Sequence, residues 1–474
     1  MDLHHFIHGR EFIEPGEDYL ENYAPGTGET IGRVALGGGA VVDKAVQSAW
    51  SSFPAWRDLR PIERGRILTD IGRLIRARRD ELAAIEAREA GKIPAHAAGE
   101  IEIAAQYFEY YGGLANIFYG EVINLGAPYH SFTRREPFGV VATILPWNAP
   151  LNQAARAIAP ALAVGNCVVA KPSEETSSTS IALARMAVEQ CGLPPGVVNV
   201  VLGTGKGIGE PLVAHPRIRK VMFTGSVRAG REIGHIAADR IIPLTLELGG
   251  KSPNIVFDDA DMDAALQGAV RAFTYNAGQV CIAGTRLLLQ ENIHDAFLAR
   301  LVPMVEALKV SQEPDAAFGA TTTRAQYERV TKFHDLAAAE GAARLTGGSE
   351  PSSSGTGLFS KPTIYAGVTP QMRIAREEAF GPILAVMKFK DEAEAIAIAN
   401  DSEFGLGAGV WTKDLSRALR MAAALEAGQI FVNEYMAGGV ETPFGGYKNS
   451  GYGREKGIEA MTHYTQLKCV TIRI

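Results

Sequence analysis

Residues 138–148, FGVVATILPWN, form a short apolar run that ends in a turn carrying Trp147 and Asn148. The pattern repeats downstream. NCVVAKPS (166–173), GVVNVV (196–201) and KVMFTGS (220–226) are further runs of this kind, and IIPLTLELGG (241–250) and PNIVF (253–257) follow. Helical stretches separate them; SIALARMAVEQCG (180–192) is stopped by Gly192 and the Pro194–Pro195 pair. A strand that is nearly all apolar is buried on both faces, and strands alternating with helices build a parallel sheet covered on both sides. Such sheets bind ligands at the carboxyl ends of their strands. Polar candidates collect at those ends: Trp147 and Asn148, Lys171 and Glu174, Gly225 and Ser226, and Glu247.

The rest of the chain narrows the function by exclusion. A length of 474 residues predicts two or three domains. With 46% hydrophobic and 21% charged residues the composition is that of an ordinary soluble globular protein. A net charge of −6 gives no electrostatic case for nucleic acid or an anionic membrane as partner. Four scattered cysteines build no disulfide framework and no CxxC pair, which suits a reducing cytoplasm. No signal-peptide core and no run of about 18 apolar residues is present. His4, His5 and His8 have no acidic or cysteine partner nearby, so no metal site is expected. Apolar residues at helical spacing from Pro61 to Gly91 predict one long amphipathic helix. GGSEPSSSGTG (347–357) reads as a flexible surface loop.

Two stretches carry chemistry. FTGSVRAGREIG (223–234) places a tight turn between a strand and a helix, where backbone N–H groups and the helix dipole can hold a pyrophosphate. GTGKGIG (203–209) resembles a phosphate loop less well, because Ile208 stands where the spacing needs glycine, and is expected to be a turn. YNAGQVCIAGT (275–285) surrounds Cys281 with small residues, leaving room for a substrate to reach the thiol. Cys167, inside an apolar run, reads as a core residue instead.

With PWNAP (146–150), KPSE (171–174), FTGS (223–226), LELGGKSPNIVF (246–257), GQVCIAG (278–284), EEAFGP (377–382) and PFGGYKNSGYGRE (443–455) in this order, the chain resembles the NAD(P)-dependent aldehyde dehydrogenase superfamily over nearly its whole length. The resemblance implies an α/β fold of three parts. A Rossmann-like dinucleotide-binding domain takes residues 1–118 and 138–249, an α/β catalytic domain takes 250–449, and a small β oligomerisation element takes 119–137 and 450–474. It also implies Cys281 as nucleophile, Asn148 as oxyanion donor and Glu247 as the base that activates water. Trp147, Lys171, Glu174, Gly225, Ser226, Leu248, Gly249, Glu378 and Phe380 are implied as cofactor contacts. A carboxylate at Glu174 would accept both ribose hydroxyls and repel a 2′-phosphate, favouring NAD over NADP. The alternation of Tyr464, Leu467, Val470 and Ile472 suits a strand added to a neighbour's sheet, so a homodimer or homotetramer is expected.

By family position, Asn152, Arg156, Tyr275, Val280, Ile282, Met436, Gly438 and Phe444 line the substrate tunnel. The pair Arg156-Ala157 stands where many relatives have an aromatic residue and lysine. This departure weakens a proton-relay role for Glu455 and, with NAP, is similar to the branch that oxidises aromatic aldehydes such as benzaldehyde, salicylaldehyde or vanillin. Tyr275 and Phe444 are expected to stack on a ring. The alternatives are a semialdehyde dehydrogenase with Arg156 anchoring the substrate carboxylate, with a structural salt bridge as the other use of Arg156, or a non-catalytic NAD-binding relative.

Overall fold

The computed structural model describes residues 2–349 and 356–474; the middle of the expected loop at 347–357 lies outside the described residues. The first five apolar runs build the parallel part of an eight-stranded sheet, whereas PNIVF forms a strand of a different sheet. Val140–Ile144 lies between Cys167–Lys171 on one side and Ile218–Thr224 on the other, all parallel. Val198–Val200 extends the first side and Leu244–Glu247 the second. Chain order therefore reverses at Val140–Ile144, and a crevice opens where its end diverges from that of Ile218–Thr224. Every residue of Val140–Ile144 and Cys167–Lys171 is buried, as their composition requires. The strand pair His5–Ile7 and Arg10–Phe12 closes one edge. Gly451–Tyr452 closes the other, antiparallel to Leu246 and Glu247.

A seven-stranded sheet with its own core faces the crevice. Pro253–Val256, Arg286–Gln290 and Gly407–Trp411 form its parallel centre. A third sheet, of three antiparallel strands, joins Val122–Ile123, Tyr129–Pro137 and Thr465–Arg473. The C-terminal strand thus pairs with its own chain from Thr465–Pro137 to Arg473–Tyr129 and leaves its outer edge open.

The single helix expected over 61–91 is two helices, Pro61–Ala77 and Arg79–Ala90, broken at Arg78. Arg78 leaves helical geometry (φ −106°, ψ 21°) and ion-pairs with Glu81, and the bend turns Glu86 and Glu89 inward. Gly91, at φ 73°, ends the second helix as its position predicts. The GTGKGIG stretch is a single wide helical turn, Gly205–Gly209, capped by Thr204. Among the described residues no helix is long and apolar enough to cross a membrane.

Candidate active site

The chain reverses sharply before Cys281. Helix Met262–Thr274 is followed by Asn276, Ala277 and Gly278, all in the left-handed region (φ 51°, 55° and 70°). A side chain on Gly278 would place Cβ 2.4 Å from the backbone of Gly381, so only glycine fits the approach. Gln279 is fully buried and fixes the reversal: its Nε2 donates to Asn276 O (3.0 Å) and its Oε1 accepts from Thr322 N–H (2.9 Å). Asn148 Nδ2 donates to Gln279 O (2.9 Å), and Asn276 Nδ2 donates to Asn148 O (3.0 Å). The amide of Asn148 is thereby oriented on the loop that carries the thiol. Burial pushes the Cys281 thiol up to about 12 and the charge of Arg156 acts against it, so the resting group is the protonated thiol.

Glu247 ends strand Leu244–Glu247, opposite Thr224 on one side and Gly451 on the other. Gly451 is demanded there: at φ 112°, an added Cβ would lie 2.0 Å from Leu246 O. Ser450 ties the segment down, its Oγ donating to Gly249 O (2.7 Å) and its O accepting from Leu248 N–H (3.0 Å). The Glu247 carboxyl is buried, and neither oxygen has a hydrogen-bond partner among the described residues. Burial and then the neighbouring Glu455 raise its pKa well above the usual carboxylate range, against the pull of Arg156 and Arg454.

Asn148, Glu247 and Cys281 line one cleft of about 510 Å³, together with Trp147, Gly225, Ser226, Leu248, Gly249, Glu378 and Phe380. The structure brings these residues around a common space. Ser226 caps helix Val227–Arg240, its Oγ accepting from Ala229 N–H (3.2 Å), so a helix N-terminus opens on the cleft. Trp147 and Phe380 meet edge to face at 5.4 Å. Glu378 Oε1 accepts from Gly250 N–H (3.0 Å), and a Cβ on Gly249 would sit 2.3 Å from Glu378 Oε2. Burial moves the Glu378 carboxyl up to about 7. Lys171 and Glu174 form an ion pair (3.1 Å) at the neighbouring strand end, outside the lining of this cleft. A helix N-terminus, a glycine floor and a carboxylate beside it are groups that fit a dinucleotide. Sequence reasoning missed Gln326 and Arg329, which also line the cleft; Gln326 Nε2 donates to Ala379 O and Phe380 O (both 2.8 Å), and Arg329 to Glu378 O (2.6 Å). They sit on an ordinary amphipathic helix, Arg324–Ala339, with no motif to mark them.

None of the expected tunnel residues Asn152, Arg156, Tyr275, Val280, Ile282, Met436, Gly438 and Phe444 is among those that line this cleft. Val280 and Ile282 flank Cys281, and Tyr435 Oη donates to Ile282 O (2.9 Å) next to Met436, itself at φ 65°. Tyr275 packs on His96, ring centres 4.4 Å apart. Asn152 and Arg156 lie one helical turn apart on Pro150–Ala163. Arg156 is buried, its Nη2 2.5 Å from Glu455 Oε2 and its guanidinium 5.1 Å from the Phe444 ring centre.

Fold and site together define an enzyme that works through a cysteine thiol beside a nucleotide-type crevice. Residues 12–470 match the family described as the aldehyde dehydrogenase family, and the chain belongs to it. It is 43% identical to a betaine aldehyde dehydrogenase of Mesorhizobium japonicum, over 99% of this chain and 96% of that one. Among solved structures it is similar to an NAD-dependent aldehyde dehydrogenase from Sinorhizobium meliloti (40% identity, TM-score 0.98, covering 100% and 95% of the two chains). It is also similar to an indole-3-acetaldehyde dehydrogenase of P. syringae in complex with NAD+ (37% identity, TM-score 0.97, covering 99% and 96%).

Proposed function

We propose that this protein oxidises a neutral, aryl-bearing aldehyde to the carboxylic acid with NAD as cofactor. The observation that carries the reading is the convergence of Asn148, Glu247 and Cys281 on the one cleft that also holds Glu378 and Ser226. Cys281 passes its proton to water in the cleft and attacks the carbonyl carbon as the thiolate. The oxygen becomes an oxyanion, which Asn148 Nδ2 and the Cys281 N–H would hold; a donor of this kind is worth about 3 kcal/mol in the transition state. NAD, when bound, accepts the hydride. Collapse of the tetrahedral adduct leaves a thioester on Cys281. Glu247, with both oxygens unengaged, removes a proton from the water that hydrolyses it. Gly225, Ser226 and Trp147 would hold the pyrophosphate side of the cofactor, Lys171 and Glu174 its adenosine ribose, and Glu378 the ribose next to the nicotinamide, with Leu248, Gly249 and Phe380 beside the ring.

The charges around Phe444 support this substrate class. A quaternary ammonium needs open aromatic faces, but the Phe444 ring is approached by Arg156 (5.1 Å) and Lys456 (5.8 Å). Those cations disfavour a betaine-type aldehyde. A carboxylate-bearing semialdehyde would have to displace Glu455 from Arg156. A neutral aromatic group has neither penalty, and the P. syringae relative's name carries an aryl aldehyde. NADH formation with benzaldehyde, a hydroxylated benzaldehyde, indole-3-acetaldehyde, succinic semialdehyde, hexanal and betaine aldehyde, each with NAD and NADP, tests this. The expected order puts the aryl aldehydes with NAD first; equal turnover of hexanal and benzaldehyde overturns the aryl reading.

A further inference from the structure

The turn before Cys281 grips Asn148 at two points. Asn148 Nδ2 donates to Gln279 O (2.9 Å), and Asn276 Nδ2 donates to Asn148 O (3.0 Å). Gln279 closes the ring, since its N–H and its Nε2 both donate to Asn276 O (3.0 Å each). All three residues are buried. Asn276 sits in the left-handed region (φ 51°), which asparagine enters more readily than most residues that carry a side chain. The ring is also anchored from outside. Gln279 Oε1 accepts Thr322 N–H (2.9 Å), and Thr322 Oγ donates to Ala90 O (2.9 Å) at the end of helix Arg79–Ala90. A side-chain amide nitrogen carries two hydrogens. The bond to Gln279 O takes one from Asn148 and leaves the other for the cleft that Asn148 and Cys281 line together.

We propose that Gln279 and Asn276 are positioning residues for the oxyanion: they set the direction of the remaining Asn148 N–H relative to the Cys281 thiol. The inference rests on Asn148 being the oxyanion donor. Neither Gln279 nor Asn276 is among the residues that line the cleft, so they act through Asn148 and not on the substrate. Gln279 stands two residues before Cys281. The turn that carries the nucleophile therefore also fixes the donor, although Asn148 follows a strand of the other sheet. A donor held in advance needs no reorientation as charge develops on the oxygen. A donor misplaced by about 1 Å forfeits rate by about 10²-fold.

The test is a double-substitution cycle read by single-turnover NADH formation, with enzyme and NAD in excess over the aldehyde that the wild type oxidises fastest. At saturating enzyme the rate constant does not depend on the folded fraction, so a loss of stability alone leaves it unchanged. Gln279→Met is expected to lower it about 10²-fold, and Asn148→Ala about 10²- to 10³-fold. The double variant is expected to match Asn148→Ala within about twofold, because no donor is left to position. Effects that multiply in the double variant, or a wild-type rate in Gln279→Met, overturn the proposal. If Gln279→Met does not fold, Asn276→Gly carries the cycle, since glycine keeps the left-handed backbone. A loss of about tenfold alone and none on the Asn148→Ala background is then expected, and a wild-type rate or multiplying effects overturn the proposal. Failure of the underlying reading looks different: Asn148→Ala itself then forms NADH at the wild-type rate.

Discussion

Glu247 and Asn148 make different demands on the reaction, and single substitutions separate them. Glu247 is buried beside Glu455 and titrates well above a normal carboxylate. Its base form appears only as pH rises, so thioester hydrolysis is expected to climb with pH through that titration. Glu247→Gln should keep the first burst of NADH, slow steady turnover about 10²-fold or more and erase the rising limb of the pH profile. Stopped-flow absorbance followed by steady-state assays at several pH values checks this, and loss of the burst itself contradicts it. Asn148→Ala acts earlier: removing one oxyanion donor should lower the burst rate about 10²- to 10³-fold with NAD affinity unchanged. Cys281, Asn148 and Glu247 were legible because each stands at a strand end or in a glycine-rich loop with a motif around it. Gln279 was quoted in such a loop, but its role was not legible. Its amide bonds Asn276 and Thr322, and no spacing rule shows that Thr322 is near.

At the level of elements, the sheet was readable and the braces between helices were not. Continuous apolar runs fix a two-sided sheet whatever surrounds it, and its five parallel strands fall within the quoted runs, whereas the edge strands His5–Ile7 and Arg10–Phe12 carried no such signal. The break at Arg78 depends instead on what helix Arg79–Ala90 must reach. Lys92 Nζ lies 3.2 Å from Glu86 and pairs more closely with Glu100, all three buried. Glu86 Oε2 in turn accepts Leu151 N–H (3.1 Å), in the first turn of the helix that follows Asn148. This cluster therefore ties the start of the helix that follows Asn148 to the helices outside the sheet. A buried pair broken on one side leaves an uncompensated charge, at a cost of about 3–5 kcal/mol. Lys92→Met is expected to lower stability by that amount in urea unfolding and to reduce turnover in the folded fraction. A variant as stable as the wild type would show that the cluster does not brace the helix.

At the scale of the whole molecule, the three-stranded sheet is left largely uncovered by the described residues. Val122–Ile123, Tyr129–Pro137 and Thr465–Arg473 contain few buried residues, and Val122 is 76% and Leu467 60% exposed. A sheet this small is marginal in water without something packed on a face, and exposed apolar positions beside an unpaired strand edge invite pairing with another chain. Both features lie on the same element, so a second copy of this chain satisfies them together. Thr465–Arg473 is the outer strand and presents the open edge. We therefore expect the protein to assemble as a homodimer or larger homo-oligomer through this sheet. The double substitution Val122→Lys with Leu467→Lys puts charges on the exposed positions without touching the residues that line the catalytic cleft. Sedimentation velocity should show the wild type at twice the chain mass or more and the variant shifted toward 50.7 kDa. Wild-type protein sedimenting as a monomer at micromolar concentration contradicts the assembly. A variant that stays fully assembled places the interface on another face.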